Sequence, residues 1–148
     1  MNNFTYVEEL LYTFKKRDKI LQQYDLDIAE IKLKYLDGDI RGIDYSKDKI
    51  QTSNIGSSVE QQVIRAEEEI YKLKREKTLK EIHYKKLELA LENLTDVEQK
   101  IVEYKYYRSY YTWNTVSRTI GLNRTSCIAY RNKLINRIIE EFNINIEY

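Results

Sequence analysis

The 148-residue chain has no proline, four glycines, and one each of cysteine, histidine, methionine and tryptophan. Proline breaks helix interiors because it lacks an N–H and its ring meets the preceding turn, so its absence leaves long helices uninterrupted and argues against a loop-rich or all-β fold. A lone cysteine, Cys127, excludes an intramolecular disulfide, and with a single histidine no Cys/His cluster can hold a structural zinc. His83 stands among lysines with no second ligand beside it and reads as an ordinary surface side chain. The opening Met1-Asn2-Asn3-Phe4-Thr5 has neither a basic nor an apolar segment, so no signal peptide is expected. No apolar run approaches the ~18 residues of a membrane span. A soluble protein of the cytoplasm is the expectation. There is no Gly-rich phosphate loop, no nucleophile–base pairing and no carboxylate cluster with metal-ligand spacing, so neither enzyme activity nor a cofactor or metal is expected.

Charged residues make up 33% of the chain and hydrophobic ones 42%, a mixture suited to elongated helices that bury one stripe. The net charge of +1 hides an asymmetry. From Tyr104 to Ile139 there are seven basic residues (Lys105, Arg108, Arg118, Arg124, Arg131, Lys133, Arg137) and no acidic one. A basic module on an otherwise acidic chain points to a polyanionic partner.

Apolar or long side chains recur at Val7, Leu10, Phe14, Leu21, Tyr24, Ile28, Ile31 and Tyr35, with Arg17 as the polar interruption. Steps of three and four residues place them on one helical seam over about Thr5–Leu36. Asp37-Gly38-Asp39 ends that helix, and residues 37–58, rich in Gly, Asp, Ser and Thr, read as a linker with a short helix around Tyr45–Ile50. A second helix is predicted over about Val59–Glu92, capped by Ser57 or Ser58. Its seam is Val63, Ala66, Ile70, Leu73, Tyr84, Leu87, Leu91 and Leu94, interrupted at Lys77 and Lys80. Matched seams on both sides of a linker predict an antiparallel hairpin, and an intermolecular coiled coil competes for the same pattern. The fold expected is all-α: residues 1–92 form a long N-terminal helical hairpin or coiled coil, and residues 93–148 a DNA-binding domain.

That last assignment rests on the C-terminal third. Thr95 with Glu98 forms a capping box opening a helix to about Tyr107. Thr112 caps a short helix, Trp113–Ile120, and Gly121 breaks it. Leu122 and Asn123 turn the chain, and a longer helix starts near Arg124, presenting Cys127, Tyr130 or Arg131, Leu134 and Ile138 inward. A short helix, a glycine turn, an apolar residue and a longer helix make a helix-turn-helix pattern. Arg124, Thr125, Ser126, Ala129, Asn132 and Lys133 are left facing outward, with Asn123 at the turn. Arg and Asn can make bidentate contacts to guanine and adenine edges, while Ser and Thr suit phosphates and Ala a thymine methyl. Arg108, Arg118, Arg131 and Arg137 are the candidate phosphate ligands. Trp113 and the tyrosines, being helically spaced, read as packing residues rather than a base-stacking surface, and Cys127 as a small packing residue.

Leu94-Thr95-Asp96-Val97-Glu98-Gln99-Lys100-Ile101-Val102-Glu103-Tyr104-Lys105-Tyr106-Tyr107 resembles the opening of sigma-70 region 4 domains, and Thr112 to Ser126 resembles their helix-turn-helix. Gly56-Ser57-Ser58-Val59-Glu60-Gln61, followed by a Glu/Lys-rich helix leading into Leu-Thr-Asp, is similar to phage late-gene transcriptional regulators of the ArpU/RinA kind. Ser117 stands where the family usually has alanine, Cys127 where it often has valine, and Tyr110-Tyr111 where a glycine-containing loop is commoner. The resemblance implies a phage or prophage activator that binds double-stranded DNA near late-gene promoters in the bacterial host cytoplasm. The coiled-coil helices would form a homodimer or dock on bacterial RNA polymerase. No segment resembles sigma region 2, which argues against a self-sufficient sigma factor. Two other readings compete: a DNA-packaging adaptor similar to a small terminase subunit, and a protein-binding factor of the anti-sigma kind.

Overall fold

The computed structural model describes residues 1–36, 53–109 and 112–146. Among them every regular element is helical and there is no strand. The order is α1 (Asn3–Thr13), a 3₁₀ turn (Phe14–Lys16), α2 (Arg17–Ile31) ending in a π-helical turn (Lys32–Leu36), α3 (Ser53–Ala90) with a 3₁₀ turn (Leu91–Asn93), α4 (Asp96–Ile101) with a π-helical turn (Val102–Tyr107), α5 (Trp113–Ile120) and α6 (Arg124–Phe142). No described helix is long and apolar enough to cross a membrane.

The chain divides into two compact units, Met1–Asp18 with Glu81–Tyr148, and Lys19–Lys80. The division expected between residues 92 and 93 is therefore displaced: α1 and the last turns of α3 pack with the C-terminal helices. The reason lies in the α1 seam. Tyr6, Val7, Leu10, Leu11 and Phe14 are all buried, in one core with Tyr84, Leu87, Ala90, Val102, Tyr106, Leu134, Ile135, Ile138 and Ile144. Side chains of this size each contribute roughly 1.5–3 kcal/mol when fully buried, so docking α1 outweighs leaving its stripe in water. The Asn2 side chain caps α1 by accepting from the Thr5 N–H at 2.8 Å, and Asn3 Oδ1 accepts from the Ile146 N–H at 3.0 Å, tying it to the C-terminal tail.

His83 is 2% exposed, and its Nδ1 lies 2.6 Å from the Tyr6 hydroxyl. The surface position expected for it is corrected: on α3 it stands beside Tyr84 and one turn before Leu87, on the face that α1 covers. Tyr84 hydrogen-bonds the Thr13 hydroxyl at 2.8 Å.

In the unit Lys19–Lys80, α2 and the first part of α3 run antiparallel. Lys77 Nζ donates to Asp25 Oδ1 at 2.8 Å, while Ile31 and Tyr35 share a groove with Gln62, Arg65 and Ala66. Lys77, which interrupts the seam in sequence, thus finds an acidic partner across the pair. Ile28, Ala66 and Ile70 are buried.

The expected linker 37–58 is shorter than predicted at its far end, because α3 already begins at Ser53 and Gly56 lies inside it. Ser57 and Ser58 are therefore not its caps. One glycine costs a helix about 1 kcal/mol, which the hydrogen bonds of a propagating helix offset. Residues 37–52, with the predicted short helix at Tyr45–Ile50, lie outside the described residues, as do Tyr110 and Tyr111. The single helix expected over Thr5–Leu36 is broken at Phe14–Lys16, where Arg17 Nη1 donates to the Phe14 carbonyl at 2.9 Å.

Candidate nucleic-acid interface

Local sequence accounts for each boundary of the C-terminal helices. The Thr95 hydroxyl accepts from the Glu98 N–H at 3.3 Å, and the Glu98 carboxylate accepts from the Thr95 N–H at 3.1 Å, a complete capping box. The Thr112 hydroxyl accepts from the Thr115 N–H at 3.3 Å and opens α5. Gly121 closes α5 at φ +86°, a left-handed conformation strained for any residue with a Cβ. Asn123 Oδ1 accepts from the Ser126 N–H at 2.8 Å and opens α6. At the far end Asn143, at φ 50°, stops it in the left-handed region.

The helices so bounded pack as a three-element cluster, with α4 against both α5 and α6 and α5 against α6. Ile101, Val116, Cys127, Leu134, Ile135 and Ile138 are buried, and Ser117 fills the place of a small residue on the inner side of α5. The Ser117 hydroxyl is satisfied by the Asn114 carbonyl at 2.9 Å. Burial pushes the Cys127 thiol up, keeping it protonated. Of the two candidates one turn before Leu134, Arg131 turns inward and Tyr130 is exposed.

The outward face of α6 carries Arg124, Thr125, Ala129 and Lys133, all exposed, with Ser126 and Asn132 half-buried at its edges. Asn136 is exposed one turn beyond Asn132 and continues the row. It was not among the sequence candidates, although its spacing of seven from Ala129 would have placed it there. Arg124 occupies the first turn, where the unpaired backbone N–H groups and the helix dipole also favour an anion. Glu140 and Glu141 in the last turn repel one. The helix is thus electrostatically polar along its length, and its N-terminal half is the end suited to a polyanion.

The arginines expected to hold phosphates differ in their surroundings. Arg118 is exposed, with Nε donating to the Asn114 carbonyl at 3.4 Å. Arg108 is exposed and paired with Glu103 at 3.1 Å. Arg137 Nη2 donates to Glu98 Oε2 at 2.6 Å, bracing α6 against the cap of α4. Arg131 is drawn away from the outer face altogether. Its Nη1 donates to Glu8 Oε2 at 2.9 Å, and its guanidinium lies over the Trp113 ring at 5.0 Å and the Phe4 ring at 5.3 Å. This geometry fits a packing and bracing group better than a phosphate ligand, and Arg131 is corrected accordingly. Among the described residues no ion pair engages Arg118, Arg124 or Lys133.

Around Arg131 the polar groups are tightly coupled. Tyr106 donates to Glu8 Oε2 at 2.9 Å. Burial, aided by the Glu8 charge, pushes the Tyr106 phenol far above its usual range, so it remains a donor. Lys105 Nζ lies over the Trp113 ring at 4.9 Å, and burial together with the Arg131 charge lowers its pKa. Glu8 was invisible as a site residue in the sequence because it sits 123 positions from its partner. No family model, curated protein or solved structure matches the chain.

Proposed function

We propose that the protein binds double-stranded DNA sequence-specifically through α5 and α6, with the N-terminal half of α6 in the major groove, and acts as a transcriptional regulator. The observation that carries this reading is the division of α6 into an apolar inner face and an outer row of Arg124, Thr125, Ala129, Lys133 and Asn136. That row is entered from a left-handed glycine turn and is free of acidic residues until Glu140. Helix-turn-helix proteins place such a face against base edges, while neighbouring basic groups hold the backbone. Arg118 and Arg108 are the phosphate-reaching cations, and Arg124, Ala129, Asn132, Lys133 and Asn136 the base-facing groups. The resemblance of Leu94–Tyr107 and Thr112–Ser126 to sigma-70 region 4 supports the same use, and the similarity to ArpU/RinA-type regulators gives the setting: activation of phage or prophage late genes in a bacterial host. A single helix-turn-helix covers a short site, so a homodimer or contact with RNA polymerase supplies further specificity.

The test is a mobility-shift titration across salt concentration, on a duplex that the chain selects from a randomised pool and on a scrambled duplex. Log affinity should fall with log salt at a slope of about −0.9 per phosphate contact. Arg124→Ala should cost about 1–3 kcal/mol on the selected duplex if the side chain reads a base. Equal weakening on both duplexes sinks the base-reading role, and absence of binding at low salt sinks the whole reading.

A further inference from the structure

Glu8, Tyr106, Arg131 and Asn132 form one hydrogen-bonded relay from α1 to the outer edge of α6. Glu8 Oε2 accepts from both the Tyr106 hydroxyl and Arg131 Nη1, each at 2.9 Å. Arg131 Nε then donates to Asn132 Oδ1 at 2.7 Å. Arginine has five N–H donors and no acceptor, so the amide of Asn132 is turned with its oxygen toward Arg131 and its NH₂ group away. The guanidinium also lies over the Trp113 ring at 5.0 Å and the Phe4 ring at 5.3 Å, contacts that favour this one placement. The Arg131 and Glu8 side chains are only 15% and 21% exposed, so the pair is shielded from solvent screening.

We infer that Glu8 and Arg131 are positioning residues that determine DNA specificity by fixing the orientation of Asn132, an inference that rests on the DNA-binding reading above. An asparagine that reads adenine uses both ends of its amide, the oxygen accepting from N6 and the nitrogen donating to N7. Held by Arg131, Asn132 has one lone pair engaged and presents its NH₂ group as a donor, which suits a base edge offering an acceptor, such as a purine N7. The N-terminal helix, which carries none of the DNA-facing residues, thereby enters the choice of base at one position of the site.

Three substitutions test this: Glu8→Gln, which removes the charge but keeps the shape; Arg131→Lys, which keeps the charge but loses the planar fork; and Asn132→Ala, at a half-buried edge position whose loss leaves the core intact. Each protein is used full-length and given randomised duplexes, and its preferred sequence and salt slope are compared with those of the wild type. The expected result is that all three lose preference at the same base-pair position. Affinity for the duplex selected by the wild type should fall about tenfold, the scale of one mismatched base pair, with the salt slope unchanged. Combining Glu8→Gln with Asn132→Ala should add nothing further, because the two act through one contact. A direct phosphate role for Arg131 predicts instead that Arg131→Lys binds nearly as well as the wild type and that Glu8→Gln keeps the full base preference, and that result overturns the inference. The side-chain amide resonances of Asn132, followed by NMR without DNA, give a second readout. They should move in Glu8→Gln and Arg131→Lys, and unchanged resonances in both overturn the relay itself. If the resonances move but the wild-type chain selects no duplex, the DNA reading falls, taking the specificity role with it and leaving only the relay.

Discussion

Arg137 and Glu98 meet across 2.6 Å, where a guanidinium on α6 closes over a carboxylate that is already part of the α4 capping box. Burial by itself would raise the Glu98 pKa, but the bonds from Thr95 and the Arg137 guanidinium outweigh it and hold the carboxyl below its usual range. A carboxyl lowered in the folded state contributes stability that is present above its unfolded pKa and lost as pH falls through the folded one. Urea midpoints should therefore drop as the pH is taken below the ordinary carboxylate range. Glu98→Gln should cost about 1–2 kcal/mol at neutral pH and flatten that dependence. A Glu98→Gln protein with wild-type stability and an unchanged acid limb would show the pair to be idle.

Gly121→Ala separates conformational strain from crowding. The φ of +86° is costly for a residue with a Cβ, yet a Cβ built there would meet nothing within 4 Å. The expected loss is about 1–2 kcal/mol, the cost of a left-handed L-residue, read as a lowered thermal midpoint with DNA binding retained. A loss well beyond that would mean that the turn is packed against something.

Cys127 is fully buried on the inner side of α6, and burial raises its thiol pKa. A thiol-specific reagent should react slowly with the native protein at neutral pH and at the rate of a free thiol in denaturant. Native-state labelling should accelerate with urea along the unfolding curve. Immediate labelling without denaturant would contradict the packing of α6 against α5.

Leu10 is fully buried, whereas its neighbour Glu9 is exposed. Leu10→Ala should destabilise the unit formed by Met1–Asp18 and Glu81–Tyr148 by about 2–5 kcal/mol, while Glu9→Ala stays within about 0.5 kcal/mol, both measured by chemical denaturation. Similar small effects for the two would mean that α1 is only loosely docked.

What could be read in the sequence was what short-range chemistry decides. The Thr95/Glu98 box, the Thr112 cap and the Gly121 turn each act within four residues, and all three lie where the sequence places them. The seam of α1 was legible as a seam, but its partner was not: periodicity identifies the buried face of a helix and is silent on what covers it. His83, Glu8 and Arg131 were misread or missed for a related reason. A polar residue looks solvated in sequence until its counterpart is known, and those counterparts stand 77 and 123 residues away. The extent of α3 was underestimated because residues 53–58, with Gly56 among serines, read as the end of the linker, whereas a helix tolerates one glycine.

The unit that carries the candidate DNA surface is assembled from the first 18 residues and the last 68, and this has a kinetic cost. Contacts such as Glu8 with Arg131 and Asn3 with Ile146 join positions 123 and 143 residues apart. A chain rich in such closures folds more slowly than a helical bundle with local contacts, because loop entropy is lost before the contacts form. During synthesis, Val7, Leu10 and Leu11 have no partner until the end of α3 has left the ribosome, and their core is complete only when α6 follows. The nascent chain therefore carries an uncovered apolar helix while α2 and most of α3 are made, and this interval is when the protein is most exposed to chaperones, proteases and aggregation.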